Sequence, residues 1–144
     1  MRYCPKIVTN GKIKCHATKR RFSSRIKVCC QSSNLVYCLS CKTCGKQYVG
    51  QTKRRVCKRL YEHFYNINKA IQAKQTNTYT SFDPVGAHFS RDDHHGVNDV
   101  TVHILAFISV HPESVRALQV RLATEHLWIH RMRSPAPRGL NIFD

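Results

Sequence analysis

The first 61 residues of this 144-residue chain contain no aspartate and no glutamate. The first carboxylate is Glu62, whereas 16 of the 24 lysines and arginines come before it. The rest of the chain has eight acidic and eight basic residues, so the formal net charge of +16 comes from the N-terminal part. An evenly basic chain would favour a general effect on solubility. A one-sided excess is typical of a surface that binds a polyanion, most often nucleic acid.

Other features that are missing exclude further classes of protein. No apolar stretch approaches the ~20 residues that span a bilayer, so we expect no membrane partner. The first residues, from Met1 to Lys6, lack the apolar core of a signal peptide. We therefore expect the eight cysteines to be reduced, which favours metal binding over disulfides. The sequence has no internal repeat and no low-complexity run, and its length predicts one domain with a modest core.

The composition divides the chain into two parts. Residues 1–31 hold nine basic residues and four cysteines with little apolar periodicity. We interpret this part as a basic, cysteine-containing N-terminal arm or linker, and residues 32–144 as the folded domain.

The pattern at the start of the domain predicts a β-hairpin followed by a helix. Residues 34–40 and 47–50 are rich in β-formers and are separated by a turn at Gly45. Thr52 has the position of an N-cap. An apolar stripe with spacings of three and four then predicts a helix, and its members are Val56, Leu60, Phe64, Ile67 and Ile71.

The second half predicts a strand and a last helix. In residues 100–108, apolar side chains occur at both odd and even positions, which is typical of a strand that is covered on both faces. We expect Pro112 to begin the helix, with a core-facing stripe of Val115, Leu118, Leu122, Glu125 and Ile129. The order is β-β-α-loop-β-α, a small α/β domain around a three-stranded, mostly antiparallel sheet flanked by helices.

Glu125 is the unusual residue of this stripe, because an unpaired carboxylate is costly to bury. Two interpretations remain open at this point. The carboxylate could form an ion pair with a base such as Arg59, or it could bind a hard divalent cation such as Mg²⁺.

Several motifs in order resemble the GIY-YIG endonuclease superfamily over residues 34–144. They are Val36-Tyr37, then Tyr48-Val49-Gly50, Arg59 with His63 on the helix, Glu125 with Trp128-Ile129, and Gly139-Leu140-Asn141. Leu35 stands where the family's first motif has glycine.

The resemblance implies a metal-dependent endonuclease that hydrolyses DNA phosphodiester bonds. Tyr37 and Tyr48 would be the active-site tyrosines, with Tyr37 the better candidate to activate the attacking water. Arg59 would stabilise charge on the phosphate, unless a different helix register brought Arg55 or Lys58 there. The remaining roles would be phosphate contact or proton transfer for His63, binding of Mg²⁺ or Mn²⁺ for Glu125, and a position near the site or bracing it for Asn141. We expect the DNA to be bound by the neighbouring cations Lys46, Lys53, Arg54, Arg55 and Lys58.

The cysteines and histidines indicate which group within the superfamily the chain resembles. Two thiolates from a tight turn and two imidazoles from the following loop suit a tetrahedral, structural Zn²⁺ site, and the set would be Cys41, Cys44, His88 and His94. Cys38 could replace Cys41, and His95 could replace His94. A Cys-Cys-His-His set of this kind is similar to that of the endonuclease domain of Penelope-like retroelements. The resemblance then implies a reverse transcriptase domain on the same polypeptide and single-strand nicking to prime reverse transcription. From the DNA substrate and the lack of an export signal we expect a nuclear location.

Two alternatives stay open. The chain could be a zinc-dependent nucleic-acid-binding module with an inactive nuclease site. The arm could also hold a second zinc ion or only free thiols, and its candidate ligands are Cys4, Cys15, His16, Cys29 and Cys30.

Overall fold

The computed structural model describes residues 7–8, 12–23, 30–78 and 82–142. Its six strands are β1 (Ile7–Val8), β2 (Lys12–Lys14), β3 (Arg21–Ser23), β4 (Leu35–Cys41), β5 (Gln47–Thr52) and β6 (Val100–Phe107). Its three α-helices are α1 (Val56–Gln75), α2 (Pro84–Phe89) and α3 (Val115–Met132), with a 3-10 turn at Gly96–Asp99. The predicted order of hairpin, helix, loop, strand and helix is confirmed, and the loop contains the short helix α2.

The main sheet has the strand order β1-β6-β4-β5. Strands β6, β4 and β5 are antiparallel, which confirms the predicted three-stranded sheet, and β1 adds a two-residue parallel edge to β6. Because successive side chains of a strand point to opposite faces, β4 contributes to two cores. Leu35, Tyr37 and Leu39 pack towards α1, and Val36 and Cys38 pack towards α3.

Helix α1 has the predicted apolar stripe but not the predicted start. Val56, Leu60 and Ile67 are buried, and Phe64 and Ile71 pack against them. Arg55 is the N-cap and makes no side-chain cap. The Thr52 hydroxyl instead accepts a hydrogen bond from the Arg54 amide at 3.1 Å, so Thr52 stabilises the turn before the helix rather than the helix itself.

The predicted inward face of α3 is only partly correct. Ser114, not Pro112, precedes the helix, and its hydroxyl caps the Ala117 amide. Val115, Leu118 and Leu122 are exposed. The residues that do face the sheet follow a spacing of four, Ala117, Arg121, Glu125 and Ile129, with Glu125 only partly buried. Because the buried Arg121 interrupts the apolar pattern, the sequence alone did not predict this register.

The described part of the arm is a two-stranded antiparallel ribbon of β2 and β3. Ile13 and Cys15 are buried with Ile129 and Met132, on the α3 side of the main sheet. Residues 12–23 are therefore ordered against the domain, although the division at residue 31 stays a prediction. None of the helices in the described ranges is both long and apolar enough to cross a membrane.

Candidate active site

The two tyrosines of the hairpin lie on one face of the sheet. Tyr37 of β4 is directly opposite Gly50 of β5, and Tyr48 is opposite Leu39. The tyrosines are therefore diagonal neighbours and not a directly facing pair. A bulge in the pairing of β4 with β6 falls between Val36 and Tyr37, and bulges of this kind re-aim side chains near active sites.

Gly50 is required by the ring of Tyr37. A Cβ atom at Gly50 would lie 2.6 Å from both Cζ and Oη of Tyr37. The backbone of Gly50 is not in the left-handed region, so the need for glycine comes from the neighbouring ring and not from a positive φ. Only a residue without a side chain lets the Tyr37 ring lie flat across β5.

Helix α1 brings two side chains to the Tyr37 hydroxyl. Nε2 of His63 lies 2.6 Å from the hydroxyl oxygen, and Nε of Arg59 donates to that oxygen at 3.2 Å. Arg59 and His63 are four residues apart, so one helix face presents both. The structure therefore brings Arg59, and not Arg55 or Lys58, to the tyrosines. Tyr37 is completely buried, whereas Tyr48 is partly exposed, and the rings of both contact that of His63 edge to face.

His63 is neutral in this arrangement. Burial, with a smaller effect of the nearby Arg59 charge, lowers the pKa of His63 to about 4. Since the Tyr37 oxygen already accepts from Arg59, its proton is free to bond to Nε2, which leaves the ring proton on Nδ1. Nδ1 is buried without a hydrogen-bond partner in the described residues. A buried polar atom left unsatisfied next to two tyrosines and an arginine points to a functional role.

Glu62 belongs to the same cluster of side chains, although the sequence did not single it out. Its carboxylate accepts from Arg59 at 2.8 Å and forms an ion pair with Arg54. Burial works against the charged form, but the hydrogen bonds from Arg59 and Arg54 lower the pKa of Glu62 overall. The three-residue spacing from Arg59 to Glu62 on a predicted helix could have identified this pair. It fixes the guanidinium so that its Nε points at Tyr37.

Glu125 lies near the same group of residues. One turn before it, the buried Arg121 donates to Gln51 of β5 and to Asn34 at 2.9 Å each, which fixes α3 against the hairpin. The negative charge of Glu125 acts on both tyrosines, and burial raises its own pKa. Among the described residues Glu125 has no ion-pair partner, so the expected alternative of an ion pair with Arg59 is not seen. The carboxylate is thus available for a cation.

Asn141 braces the strand that carries Tyr48. Its Oδ1 accepts from the Val49 amide and its Nδ2 donates to the Val49 carbonyl, both at 2.9 Å. The amide side chain therefore pairs with the backbone of β5 as a neighbouring strand would. Asn141 is buried next to the tyrosines without reaching their hydroxyl groups in any hydrogen bond.

The predicted DNA-binding cations fall into two groups. Lys53 pairs with Glu113 at 2.7 Å, and Arg54 pairs with Glu62. The other three form no ion pair with any carboxylate in the described ranges, and they are Lys46, Arg55 and Lys58. No carboxylate in the described ranges therefore neutralises the positive charge of these three residues.

A second cluster contains the four predicted zinc ligands. The ligand atoms of Cys41, Cys44, His88 and His94 all lie within 4.8 Å of one another. Sγ of Cys44 is 3.3 Å from Nε2 of His88, and Nε2 of His94 is buried without a hydrogen-bond partner in the described residues. An unsatisfied imidazole nitrogen aimed at two thiols and another imidazole fits a soft, tetrahedral metal ion.

The structure decides between the alternative ligands. Cys38 points to the other face of the sheet, where burial raises the pKa of its thiol to about 12. The His95 ring is exposed and lies 3.3 Å from Asp99. Cys41 and His94 are therefore the residues brought to the cluster.

Two carboxylates that the sequence analysis did not identify stabilise the loop that carries His94. Asp93 contacts Nδ1 of His94 at 2.8 Å, which leaves Nε2 free for a metal. Asp99 accepts from the Thr43 hydroxyl and from the His95 amide at 2.8 Å each, and so joins the cysteine turn to the histidine loop. Metal-binding histidines usually have a hydrogen-bond partner on the second ring nitrogen, as His94 has in Asp93.

The arm's candidate ligands do not form a comparable site in the described ranges, where the Cys41 group is the single cluster of this type. Cys15 is buried, and its thiol donates to the Met132 carbonyl at 3.1 Å. His16 lies against Gly45, and Cys30 is half-buried. Cys4 and Cys29 lie outside the described residues, so a second zinc site stays a hypothesis.

The comparisons with known proteins agree with this geometry. The family model of the GIY-YIG catalytic domain matches residues 33–141, which contain every residue of the two clusters described above. No curated protein and no solved structure matches the chain significantly. The chain belongs to the GIY-YIG family, and residues 33–141 are a catalytic domain with the fold of an endonuclease.

Proposed function

We propose that this protein is a metal-dependent DNA endonuclease that nicks one strand of the duplex. The observation that carries the proposal is the meeting of Arg59 and His63 at the Tyr37 hydroxyl, with Tyr48 and Glu125 beside it. Hydrolysis of a phosphodiester needs a proton acceptor for water, positive charge for the phosphate oxygens and help for the leaving oxygen. The group of residues offers each of these in one place.

Glu125 is the residue that would hold the catalytic ion. It is half-buried, and it has no cationic partner within ion-pair distance among the described residues. A single carboxylate together with substrate phosphate oxygens is a common way of binding Mg²⁺, and Mn²⁺ accepts similar ligands. The ion would supply Lewis-acid stabilisation of charge on the phosphate.

The proton would pass through Tyr37 to His63. Burial raises the pKa of Tyr37, so a standing phenolate at neutral pH is unfavourable. If Tyr37 receives the proton of water while its own proton moves to Nε2 of His63, no phenolate accumulates. The imidazolium would form only transiently, because burial lowers the pKa of His63 to about 4. Arg59 donates to the Tyr37 oxygen, and its positive charge next to the tyrosines would stabilise charge on a bound phosphate.

A zinc ion bound by the Cys41 cluster would have a structural role. Cys41 ends β4 and Cys44 lies in the connection from β4 to β5, and these two strands carry the tyrosines. Zn²⁺ at this cluster would fasten that connection to the loop of His88 and His94, since structural zinc sites contribute directly to folding.

The biological setting that we propose is a retroelement of the Penelope-like type. It is supported by the Cys-Cys-His-His set inside a GIY-YIG domain. A reverse transcriptase domain on the same polypeptide would then use the 3′-hydroxyl at the nick, and the protein would work in the nucleus.

The proposal is tested with supercoiled plasmid and Mg²⁺. We expect wild type and the control Glu113→Gln to convert the plasmid to the nicked circle, whereas Glu125→Gln and Arg59→Ala lose at least about 100-fold in rate. Glu113 is a suitable control because it is an exposed carboxylate outside the cluster. Equal nicking by all four proteins would overturn the assignment of the site. Tight, salt-sensitive binding by a wild type that never nicks would favour the inactive nucleic-acid-binding module instead.

A further inference from the structure

The ribbon of β2 and β3 has two chemically different faces. Ile13 and Phe22 are paired across the ribbon and point to the domain, where Phe22 contacts the Trp128 ring edge to face at 5.2 Å. Because side chains alternate along a strand, Lys12, Lys14 and Arg21 share the opposite, outward face. All three are exposed.

The inward face is fastened to the catalytic domain by polar contacts as well as apolar ones. The Gln47 side chain accepts from the His16 amide at 2.9 Å and donates to the Lys14 carbonyl at 2.8 Å. Gln47 begins β5, the strand that carries Tyr48. The ribbon is therefore held in a fixed position relative to the active site rather than tethered as a tail.

The outward face is electrostatically unfavourable in the protein alone. Lys14 is directly opposite Arg21 in the register of the ribbon, and like charges in that position destabilise a strand pair. No carboxylate in the described ranges forms an ion pair with either residue or with the neighbouring cations Lys19 and Arg20. The repulsion is thus retained without compensation, which is understandable if a polyanion neutralises it.

This charge continues towards the active site. The His16 ring covers Gly45 so closely that a Cβ atom there would lie 2.4 Å from Nδ1. The end of the ribbon therefore abuts the turn that contains Lys46, two residues before Tyr48. After burial, the charges of Lys19 and Lys46 are the causes that lower the pKa of His16, so both cations lie near its ring.

We infer that the outward face of the ribbon, formed by Lys12, Lys14 and Arg21, binds the phosphate backbone of duplex DNA outside the catalytic centre. The inference deepens the proposed function, because it takes DNA as the ligand and adds a contact surface to those around the tyrosines. Its contacts are to phosphates, so it would strengthen binding of any sequence.

The test compares two variants that each lose two positive charges. Lys14→Gln/Arg21→Gln alters the ribbon, and Lys69→Gln/Arg116→Gln is the control on exposed faces of α1 and α3. Binding to a fluorescent duplex is measured without divalent metal between 50 and 200 mM salt. We expect the ribbon variant to lose about 10-fold or more in affinity at low salt, and its slope of log K against log salt to fall by about 2. The control should stay close to wild type in both quantities.

A second variant guards against a simple effect on folding. Arg21→Glu would place opposite charges across the ribbon at Lys14, so we expect its Tm to be equal to or above that of wild type while duplex affinity falls. Equal affinity and slope for the ribbon variant and the control would overturn the inference. The inference would also be overturned if the ribbon variant lost binding to phosphatidylserine vesicles but bound the duplex as tightly as wild type does. The binding assay contains no divalent metal and does not depend on nicking. If the plasmid assay failed, the proposed nuclease activity would be rejected, but the inference about DNA binding by the ribbon would still be tested by the binding assay.

Discussion

The hydroxyl oxygen of Tyr37 lies 2.6 Å from Nε2 of His63, and both side chains are almost completely buried. Such a pair is not needed to hold α1 on the sheet, because Val56, Leu60 and Ile67 already pack there. The two groups are better understood as a proton donor and acceptor that are kept from bulk water.

Removal of the Tyr37 hydroxyl tests this pair. We expect Tyr37→Phe to reduce the nicking rate by about 100-fold or more, because the route from water to His63 is lost. Phenylalanine preserves the ring that packs against Gly50, so zinc content should change little. Tm should fall modestly, because Nε2 of the buried His63 loses its hydrogen-bond partner. Tyr48→Phe serves as the comparison, and a larger loss from Tyr48→Phe than from Tyr37→Phe would make Tyr48 the residue that activates water.

The stability of the protein should depend on pH through His63. Its pKa is about 4 in the folded protein and about 6.5 when unfolded. Between these values the unfolded chain binds more protons, so the free energy of unfolding should fall as pH decreases from about 6.5 to about 4. We expect His63→Gln to remove part of this decrease, up to about 3 kcal/mol, in chemical unfolding at several pH values. Parallel curves for wild type and variant would show that His63 does not titrate in this way.

Gly50→Ala should act through Tyr37. The added Cβ would clash with the Tyr37 ring, and overpacking of this kind costs about 1–3 kcal/mol. We expect a lower Tm and a reduced nicking rate because the ring is displaced from His63. In the Gly50→Ala background, Tyr37→Phe should then cause little further loss of nicking, since coupled residues are not additive. Full additivity would contradict this explanation.

The Cys41 cluster should bind about one zinc ion per chain. We expect Cys44→Ser and His94→Gln to lose this zinc and to lower Tm, because among the described residues this is the one place where such ligand atoms converge. His95→Gln and Cys30→Ser are the controls, since both residues lie outside the cluster. Elemental analysis of the purified proteins measures the outcome. A second zinc that disappears in Cys30→Ser would support a metal site in the arm.

The sequence by itself determined the α/β order, the apolar stripe of α1 and the motifs of the family. Each of these depends on short-range spacing, which a chain carries locally. The candidate ligands Cys41, Cys44, His88 and His94 also followed from the spacing of the cysteines and histidines. Cys38 and His95 remained alternatives until the structure placed them outside the cluster.

Only the tertiary structure decided how these pieces meet. It paired Tyr37 with Gly50 rather than with Tyr48, because strand register is set by packing of the whole sheet. It buried Arg121 and exposed Leu118 and Leu122, since hydrogen bonds to Asn34 and Gln51 compensate the arginine. It also turned part of a basic arm into an ordered ribbon, because Ile13 and Cys15 pack on an apolar surface that includes Ile129 and Met132, more than a hundred positions later. Contacts between distant segments are invisible to local patterns, and those contacts place the site.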